Sequence, residues 1–239
     1  MRVDAGGWRW LFASTALPIL GNIPRMCGRF FLTADPAELA EYFGLAEIPS
    51  IKPRYSVAPG QTVPVIVQGE AGRSMRKMGW GLIPSWTKDP AIGYRSINAR
   101  VETVAEKPTF RTASKKRHCL VPATGFYEWK TVGKKKLPTA FRLRSGLFAF
   151  AGLWEKWRDC DSALETFTIL TAMANEVVGK LHDRMPVVLP QEAYEQWLGN
   201  ALGHELLQPF PAGEMTAAEA NPWVNDAHHE GPRCLEPNA

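Results

Sequence analysis

The sequence is short of the residues that staple, anchor or metallate a chain. Only four of its 239 residues are cysteines, Cys27, Cys119, Cys160 and Cys234, and no two of them form a C-x-x-C pair. At this length that excludes a small disulfide scaffold and leaves reduced thiols in a cytoplasm as the expectation. The five histidines, His118, His182, His204, His228 and His229, do not stand at zinc-finger spacing with the cysteines, so no structural metal is expected. No apolar run is long enough to span a bilayer; the longest near the start, residues 11–20, is broken by Pro18. That run has the length of a signal-peptide core behind Arg2 and Arg9, but Asp4, Trp8 and Trp10 interrupt the charged region and no clear small-residue cleavage site follows. Neither charge sign dominates. A net charge of +4 suits an anionic partner without requiring one. Glycine-rich phosphate loops are absent, so no ATP site and no cofactor is implied.

What is present is an ordinary globular composition, 45% apolar and 22% charged, with enough chain for a sizeable core. There is no internal repeat, low-complexity tract or linker, so one domain is expected over residues 26–239. Residues 1–25 are read as an extension, either removed or lying ahead of a true start at Met26. Asp35-Pro36-Ala37-Glu38 reads as a helix start, with Asp35 at the N-cap and Glu38 placed for a capping box. Leu39, Tyr42 and Phe43 supply its apolar face, and Gly44 ends it. Strand-like runs cover residues 62–67, 118–121, 139–143, 147–153 and 166–171. Residues 130–136, with Gly133 inside, read as a hairpin tip, and residues 174–181 and 190–198 as helices. Strands dominate and helices are scattered. The pattern predicts an α+β fold on a mostly antiparallel, twisted sheet rather than a doubly wound parallel one.

Four segments carry chemistry. Met26-Cys27-Gly28-Arg29-Phe30 comes first. A lone cysteine is more often a buried small hydrophobe. A start at Met26, however, lets the methionine be trimmed and leaves Cys27 with an α-amine and a thiol on adjacent carbons. Such an amine has a pKa of about 7.7–8.0 against about 10.4 for lysine, so roughly a quarter of it is unprotonated at cytoplasmic pH. It condenses with an aldehyde, and the thiol then closes a five-membered thiazolidine. The open-chain sugar of an abasic site is such an aldehyde. In Ser96-Ile97-Asn98-Ala99-Arg100, Asn98 and Arg100 alternate and can share one strand face. Glu128 stands among rings in Gly125-Phe126-Tyr127-Glu128-Trp129, a setting that raises a carboxyl pKa and suits proton transfer. Leu181-His182-Asp183-Arg184 combines an acid–base candidate with a phosphate-binding arginine. Taken singly, Asn98 could instead cap a turn, Glu128 form a surface pair and His182 be a hydrogen-bonded core residue.

In order, M-C-G-R-F, Y-S-V-A-P-G, W-G-L-I-P-S-W, I-N-A-R-V-E-T, G-F-Y-E-W-K and L-H-D-R-M-P-V-V-L resemble the SRAP family, the SOS-response-associated peptidases, whose members process abasic sites. The resemblance runs from Met26 to E-G-P-R-C-L-E-P near the end. It implies an SRAP-like fold, a monomer, and covalent capture of abasic sites in single-stranded DNA, a crosslinking, lyase-like activity that shields the lesion. A cytoplasmic, nucleoid-associated location goes with it. By the same resemblance Cys27 is the nucleophile, Asn98 holds its amine and the sugar, and Glu128 orients the amine and moves protons. His182 opens the sugar ring. Arg29, Arg100 and Arg184 bind phosphates, Trp86 and Pro59 form a wedge on the bases, and Thr171 adds a backbone contact. Ser56 and Thr87 depart from the family pattern in the DNA-contacting region. Lys115-Lys116-Arg117 and Lys134-Lys135-Lys136 could steer DNA, although a solvated hairpin tip explains the second cluster as well.

Two other functions use the same residues. A Cys–His–Glu peptidase, including one that cuts off its own leading peptide, needs Cys27, His182 and Glu128 but tolerates a residue ahead of Cys27, which thiazolidine chemistry does not. A non-catalytic single-strand binder would need the arginines and Trp86 and leave Cys27 and Glu128 dispensable.

Overall fold

A computed structural model describes residues 27–159, 163–200 and 202–237. The extension at residues 1–25 and Cys160 lie outside the described residues. Thirteen strands are found among the described residues: β1 (Phe30–Leu32), β2 (Arg54–Val57), β3 (Thr62–Gly69), β4 (Gly72–Trp80), β5 (Asn98–Arg100), β6 (His118–Ala123), β7 (Gly125–Val132), β8 (Lys135–Leu143), β9 (Phe148–Arg158), β10 (Ala163–Met173), β11 (Arg184–Pro186), β12 (Val188–Leu189) and β13 (Met215–Glu219). The α-helices among the described residues are α1 (Pro36–Phe43), α2 (Ala113–Lys116) and α3 (Tyr194–Leu198). The fold is α+β, as the sequence pattern predicts.

One sheet runs β13-β8-β7-β1-β2, and the second runs β11-β10-β4-β3-β6-β9-β12 with β5 beside β10. A further pairing of β10 with β9 closes β10, β4, β3, β6 and β9 into a ring. Closure leaves few unpaired edges, which is how an all-strand core protects itself. Every pairing is antiparallel except those of β10 with β4 and β5. Both faces of the ring are buried. Val63, Val65 and Val67 of β3 pack with Phe30, Phe126 and Phe141 of the five-stranded sheet. Ile66, on the opposite face of the same strand, packs with Leu39 and Phe43 of α1 and with Tyr194 and Trp197 of α3. Burial on two faces explains why these strands read as near-continuous apolar runs.

Local chemistry sets the element ends. The Asp35 side chain accepts from the Ala37 N–H at 2.8 Å, and Gly44, at φ 63°, closes α1 onto the carbonyls of Ala40 and Glu41. Gly133, at φ 60°, turns the β7–β8 hairpin, in which Val132 faces Lys135. Residues 191–198 do form helix, a 3₁₀ turn at Gln191–Ala193 followed by α3. Residues 174–181 correct the sequence reading: they hold no α-helix, only a 3₁₀ turn at Val178–Lys180. The reason is Asn175, whose side-chain oxygen accepts from the N–H groups of Val177 and Val178 at 3.1 and 3.0 Å. That Asx turn competes with the helical ladder at its first turn.

Candidate active site

The site begins where the chain crosses between the sheets. β6 belongs to the ring and β7 to the five-stranded sheet, with only Thr124 between them. Gly125 makes the crossing possible. A Cβ there would lie 2.1 Å from the Phe31 ring and 2.5 Å from the Phe141 carbonyl oxygen, which no side chain tolerates. With Gly125 opposite Phe31 and Phe126 opposite Phe30, the Tyr127 N–H reaches the Arg29 carbonyl at 2.9 Å. The same register then brings Glu128 beside the residues ahead of β1. Strand alternation turns Phe126 and Glu128 to one face and Tyr127 and Trp129 to the other. Phe126 faces the core between the sheets, so Glu128 does too, and it is only 2% exposed.

There the Glu128 carboxyl accepts from the backbone nitrogen of Cys27 at 2.8 Å. Burial in this apolar setting raises the Glu128 pKa from its ordinary 4.5 to about 8, against the smaller opposing effect of the Cys27 N–H. Cys27 is itself fully buried, and its thiol is pushed well above its ordinary value, first by burial and then by the neighbouring Glu128 charge. From the other sheet, the Asn98 side-chain amide donates to the Cys27 carbonyl at 3.2 Å. Cys27 is thus held at both backbone polar groups, by Glu128 on the nitrogen and Asn98 on the carbonyl.

β5 delivers Asn98 by pairing parallel with β10, Ile169 against Asn98 and Thr171 against Arg100. Asn98 and Arg100 are both on this strand, as the sequence pattern predicts, and Arg100 is exposed. Thr171 is buried; its hydroxyl reaches the Ala99 carbonyl at 3.4 Å, and its own carbonyl accepts from Val101 N–H at 3.0 Å. Antiparallel to β10 lies β11, Met173 against Arg184, and the link between them carries His182. Its neighbours Val178, Leu181 and Met185 pack in the same apolar cluster as Cys27. The His182 Nδ1 accepts from the Arg184 backbone N–H at 3.1 Å and lies 3.0 Å from an Asp183 carboxylate oxygen. Its Nε2 is buried and makes no hydrogen bond.

The predicted DNA contacts divide into exposed and buried groups. Trp86 is 59% exposed, with its indole N–H 3.4 Å from the Pro108 carbonyl. Pro59 is half-buried in the turn before β3. Arg29 is buried, and its Nη1 donates to Ser56 Oγ and the Val224 carbonyl, each at 2.8 Å. Burial lowers its pKa. Ser56 is correspondingly an internal anchor for Arg29 rather than a surface group. Thr87 is half-buried, and its carbonyl accepts from the Trp157 indole at 2.9 Å. Arg184 is buried with its guanidinium committed to Glu102 and the Thr171 carbonyl. The structure therefore presents Arg100 as an open cation and Arg29 and Arg184 as internally paired ones. Glu102 and Asp183 are neighbours of the site that sequence reasoning passed over, although both stand inside the segments it singled out.

Among the described residues no cluster of three or more metal-binding side chains occurs, and no helix is long and apolar enough to cross a membrane. Cys119 and Cys234 are free and buried.

Residues 26–227 match the family described as SOS response associated peptidase (SRAP). The chain is 40% identical over 222 residues to the abasic site processing protein YoqW of Bacillus subtilis, covering 88% of this chain and 99% of that one. It is 28% identical over 228 residues to the abasic site processing protein YedK of Escherichia coli, covering 89% and 100%. In three dimensions it resembles a crystal structure of a protein from Bacteroides thetaiotaomicron, with a TM-score of 0.80 and 27% identity over 89% of this chain and 100% of the other. A family match over residues 26–227, with a relative 40% identical over nearly its whole length, places the chain in the SRAP family.

Proposed function

We propose that this protein captures abasic sites in single-stranded DNA as a covalent adduct of Cys27. The observation that carries the reading is the 2.8 Å contact between the Cys27 nitrogen and the buried Glu128 carboxyl. A carboxyl whose pKa is about 8 exchanges protons near neutral pH, as a group serving both directions of proton transfer must. The relatives' names supply the substrate class, an abasic site.

The chemistry balances with these groups. In the closed sugar the C1′–O4′ bond breaks, its electron pair going to O4′, which takes a proton; the C1′ hydroxyl loses a proton and becomes the aldehyde. His182 assists this exchange. The Cys27 amine attacks C1′, Glu128 takes a proton from the nitrogen and returns one to the departing hydroxyl, and water leaves as the imine forms. The Cys27 S–H then adds across the C=N bond, sulfur to carbon and proton to nitrogen. Asn98 holds the Cys27 carbonyl while this happens. Arg100 contacts a flanking phosphate, and Trp86 with Pro59 stacks on an unpaired base, which favours single strands.

The amine must be free, so the peptide bond before Cys27 must be absent or cut. The family match begins at Met26, consistent with an active form that starts at Cys27. A second reading is favoured by the same contact: with residues 1–26 attached, the Cys27 sulfur adds to the carbonyl carbon of residue 26 and gives up its proton, Glu128 gives one to the departing Cys27 nitrogen, and water then hydrolyses the thioester, releasing the leader as a carboxylic acid. Self-removal of the leader would then precede capture.

The test mixes protein beginning at Cys27 with single-stranded DNA bearing one abasic site, followed by denaturing electrophoresis. A shifted band is expected for this form, and none for Cys27→Ala. Intact binding without any band would overturn capture in favour of a binding module. Cleavage of unrelated peptides instead would point to a general peptidase.

A further inference from the structure

The E-G-P-R-C stretch that begins at Glu230 takes no part in the chemistry above, yet its first residue closes a network on the turn that carries Pro59. The chain after β13 lies across the five-stranded sheet, with Val224 and Cys234 buried against Phe31 and Tyr127. The Trp223 and His229 ring centroids are 3.4 Å apart, and the Arg233 guanidinium lies 4.3 Å from the Trp223 centroid. That strap delivers Glu230 to β2, the edge strand of the sheet. There β2 bulges. Between the pairs Phe30–Val57 and Leu32–Arg54 it has two residues, Tyr55 and Ser56, where β1 has one. A bulge interrupts the ladder's hydrogen bonds, and here a carboxylate takes them up. One Glu230 oxygen accepts from the Tyr55 N–H and, at 3.1 Å, from the Ser56 N–H. The other takes Arg54 Nε at 2.9 Å.

Arg54 carries the contact onward. Its Nη2 donates to Gln61 Oε1 at 2.6 Å, and that oxygen also accepts the Ala58 N–H at 3.2 Å. Ala58 and Gln61 are the two ends of the Pro59 turn. The Gln61 N–H closes onto the Ala58 carbonyl at 3.2 Å, and Gly60 stands at φ 84°. Proline at the second position and a positive-φ glycine at the third make a type II turn. The far side of this turn is pinned to β4. The Gly60 N–H reaches the Trp80 carbonyl at 2.8 Å, and the Trp80 N–H reaches the Gln61 carbonyl at 3.0 Å. On the β2 side the turn is braced by Arg54, and Arg54 by Glu230.

We propose that Glu230 is a positioning residue for the bound strand: it sets the β2 bulge and, through Arg54 and Gln61, the pose in which Pro59 meets a base. The contact of Pro59 with DNA rests on the capture reading above. The brace itself does not. A turn formed in advance avoids the ordering cost that a loose one meets on binding, so Glu230 acts on affinity and not on the reaction at Cys27. The sign of its effect separates it from plain electrostatics. Loss of an anion strengthens binding to a polyanion by charge alone, whereas loss of this one weakens it.

The first readout needs no DNA. In the full chain, amide exchange over residues 54–61 is expected to quicken in Glu230→Ala while the β7 segment around Glu128 keeps its protection. On protein beginning at Cys27, binding of Glu230→Ala to single-stranded DNA carrying a tetrahydrofuran abasic analogue, which cannot open, is expected to weaken about 5-fold or more. Its capture rate at saturating DNA with a true abasic site is expected to stay within about twofold of the parent's. Glu230→Gln, which keeps an acceptor for the two N–H groups but no charge for Arg54, is expected to fall in between. In a Pro59→Ala background, Glu230→Ala is expected to weaken analogue binding by less than about twofold more, because both changes act through one ring. A general weakening of the fold would instead appear undiminished in that background, and that result would overturn the proposal. So would unchanged or tighter binding of the analogue by Glu230→Ala, unchanged exchange, or a capture rate that falls at saturating DNA. A parent protein that binds the analogue but forms no adduct would refute the capture reading and leave the brace, with its effect on binding, standing.

Discussion

Replacing Glu128 by glutamine removes a buried titratable group and keeps the shape, and its consequence for stability follows from the site. In the folded protein the Glu128 pKa is raised from 4.5 to about 8. A raised pKa means the fold binds this proton more tightly than the unfolded chain does, so the contribution to stability is fully present below 4.5 and is lost as pH rises through about 8. At about 1.4 kcal/mol per pH unit, the whole span corresponds to up to roughly 5 kcal/mol. Other groups bracket a clean window. Burial lowers the His118 pKa from 6.5, so that residue destabilises the fold as acid is added below this range. The Cys27 and Cys119 thiols are raised above 9.0 by burial and act only in stronger base. Between pH 6.5 and 8 Glu128 therefore dominates, and integration of its titration gives a loss of about 1.5–2 kcal/mol for the parent protein. For a chain of this size that is a fall in Tm of roughly 3–8 °C. In Glu128→Gln the amide oxygen still accepts the Cys27 N–H, and the slope over this window is expected to vanish. Urea unfolding followed by tryptophan fluorescence at pH 6.5, 7.2 and 8 measures it. Parallel slopes in the two proteins would refute a buried, proton-holding Glu128.

The crossing at Gly125 gives a second expectation. Gly125→Ala must displace the Phe31 ring or the Phe141 carbonyl, both buried, and is expected to cost about 3 kcal/mol or more, a Tm drop of at least about 6 °C. A stability equal to the parent's would mean that the β1–β7 register is not what brings Glu128 to Cys27. Trp86→Ala should leave Tm unchanged, because the ring is 59% exposed, and should weaken binding to single-stranded DNA by about 1–3 kcal/mol in an anisotropy titration. Asp35→Ala should cost about 1 kcal/mol through loss of the 2.8 Å cap on α1 without altering DNA binding or capture. Calorimetry and the gel assay together check it.

Some of this was legible in the sequence and some was not, for identifiable reasons. β3, β6, β9 and β10 announce themselves because both faces of the ring are buried and their runs are apolar. β4 was passed over because none of its first six residues, Gly72 to Lys77, is buried and three of them are charged, and such a hairpin arm carries no apolar pattern. The helix expected at residues 174–181 failed on one side chain, Asn175, which satisfies the N–H groups a first helical turn would use. At the site, the meeting of Cys27, Asn98 and Glu128 depends on two sheets coming together, which no local pattern expresses; the resemblance to SRAP proteins supplied it. Local chemistry alone also could not tell an arginine that waits for a phosphate from one that is already satisfied. Arg29 and Arg184 read like Arg100 in the sequence, but Ser56, Val224 and Glu102, which occupy them, come from other elements. The carboxyl pKa of Glu128, by contrast, was foreseeable from its aromatic neighbours and strand alternation.

The most direct test of the central claim is mass spectrometry of the adduct. Protein beginning at Cys27 is incubated with single-stranded DNA bearing an abasic site, digested, and the linked peptide sequenced. The account predicts a mass equal to protein plus DNA less one water, with the DNA attached at Cys27 through both nitrogen and sulfur, so that no free thiol remains there. Attachment at a lysine, or a Cys27 whose thiol still reacts with an alkylating agent, would contradict it.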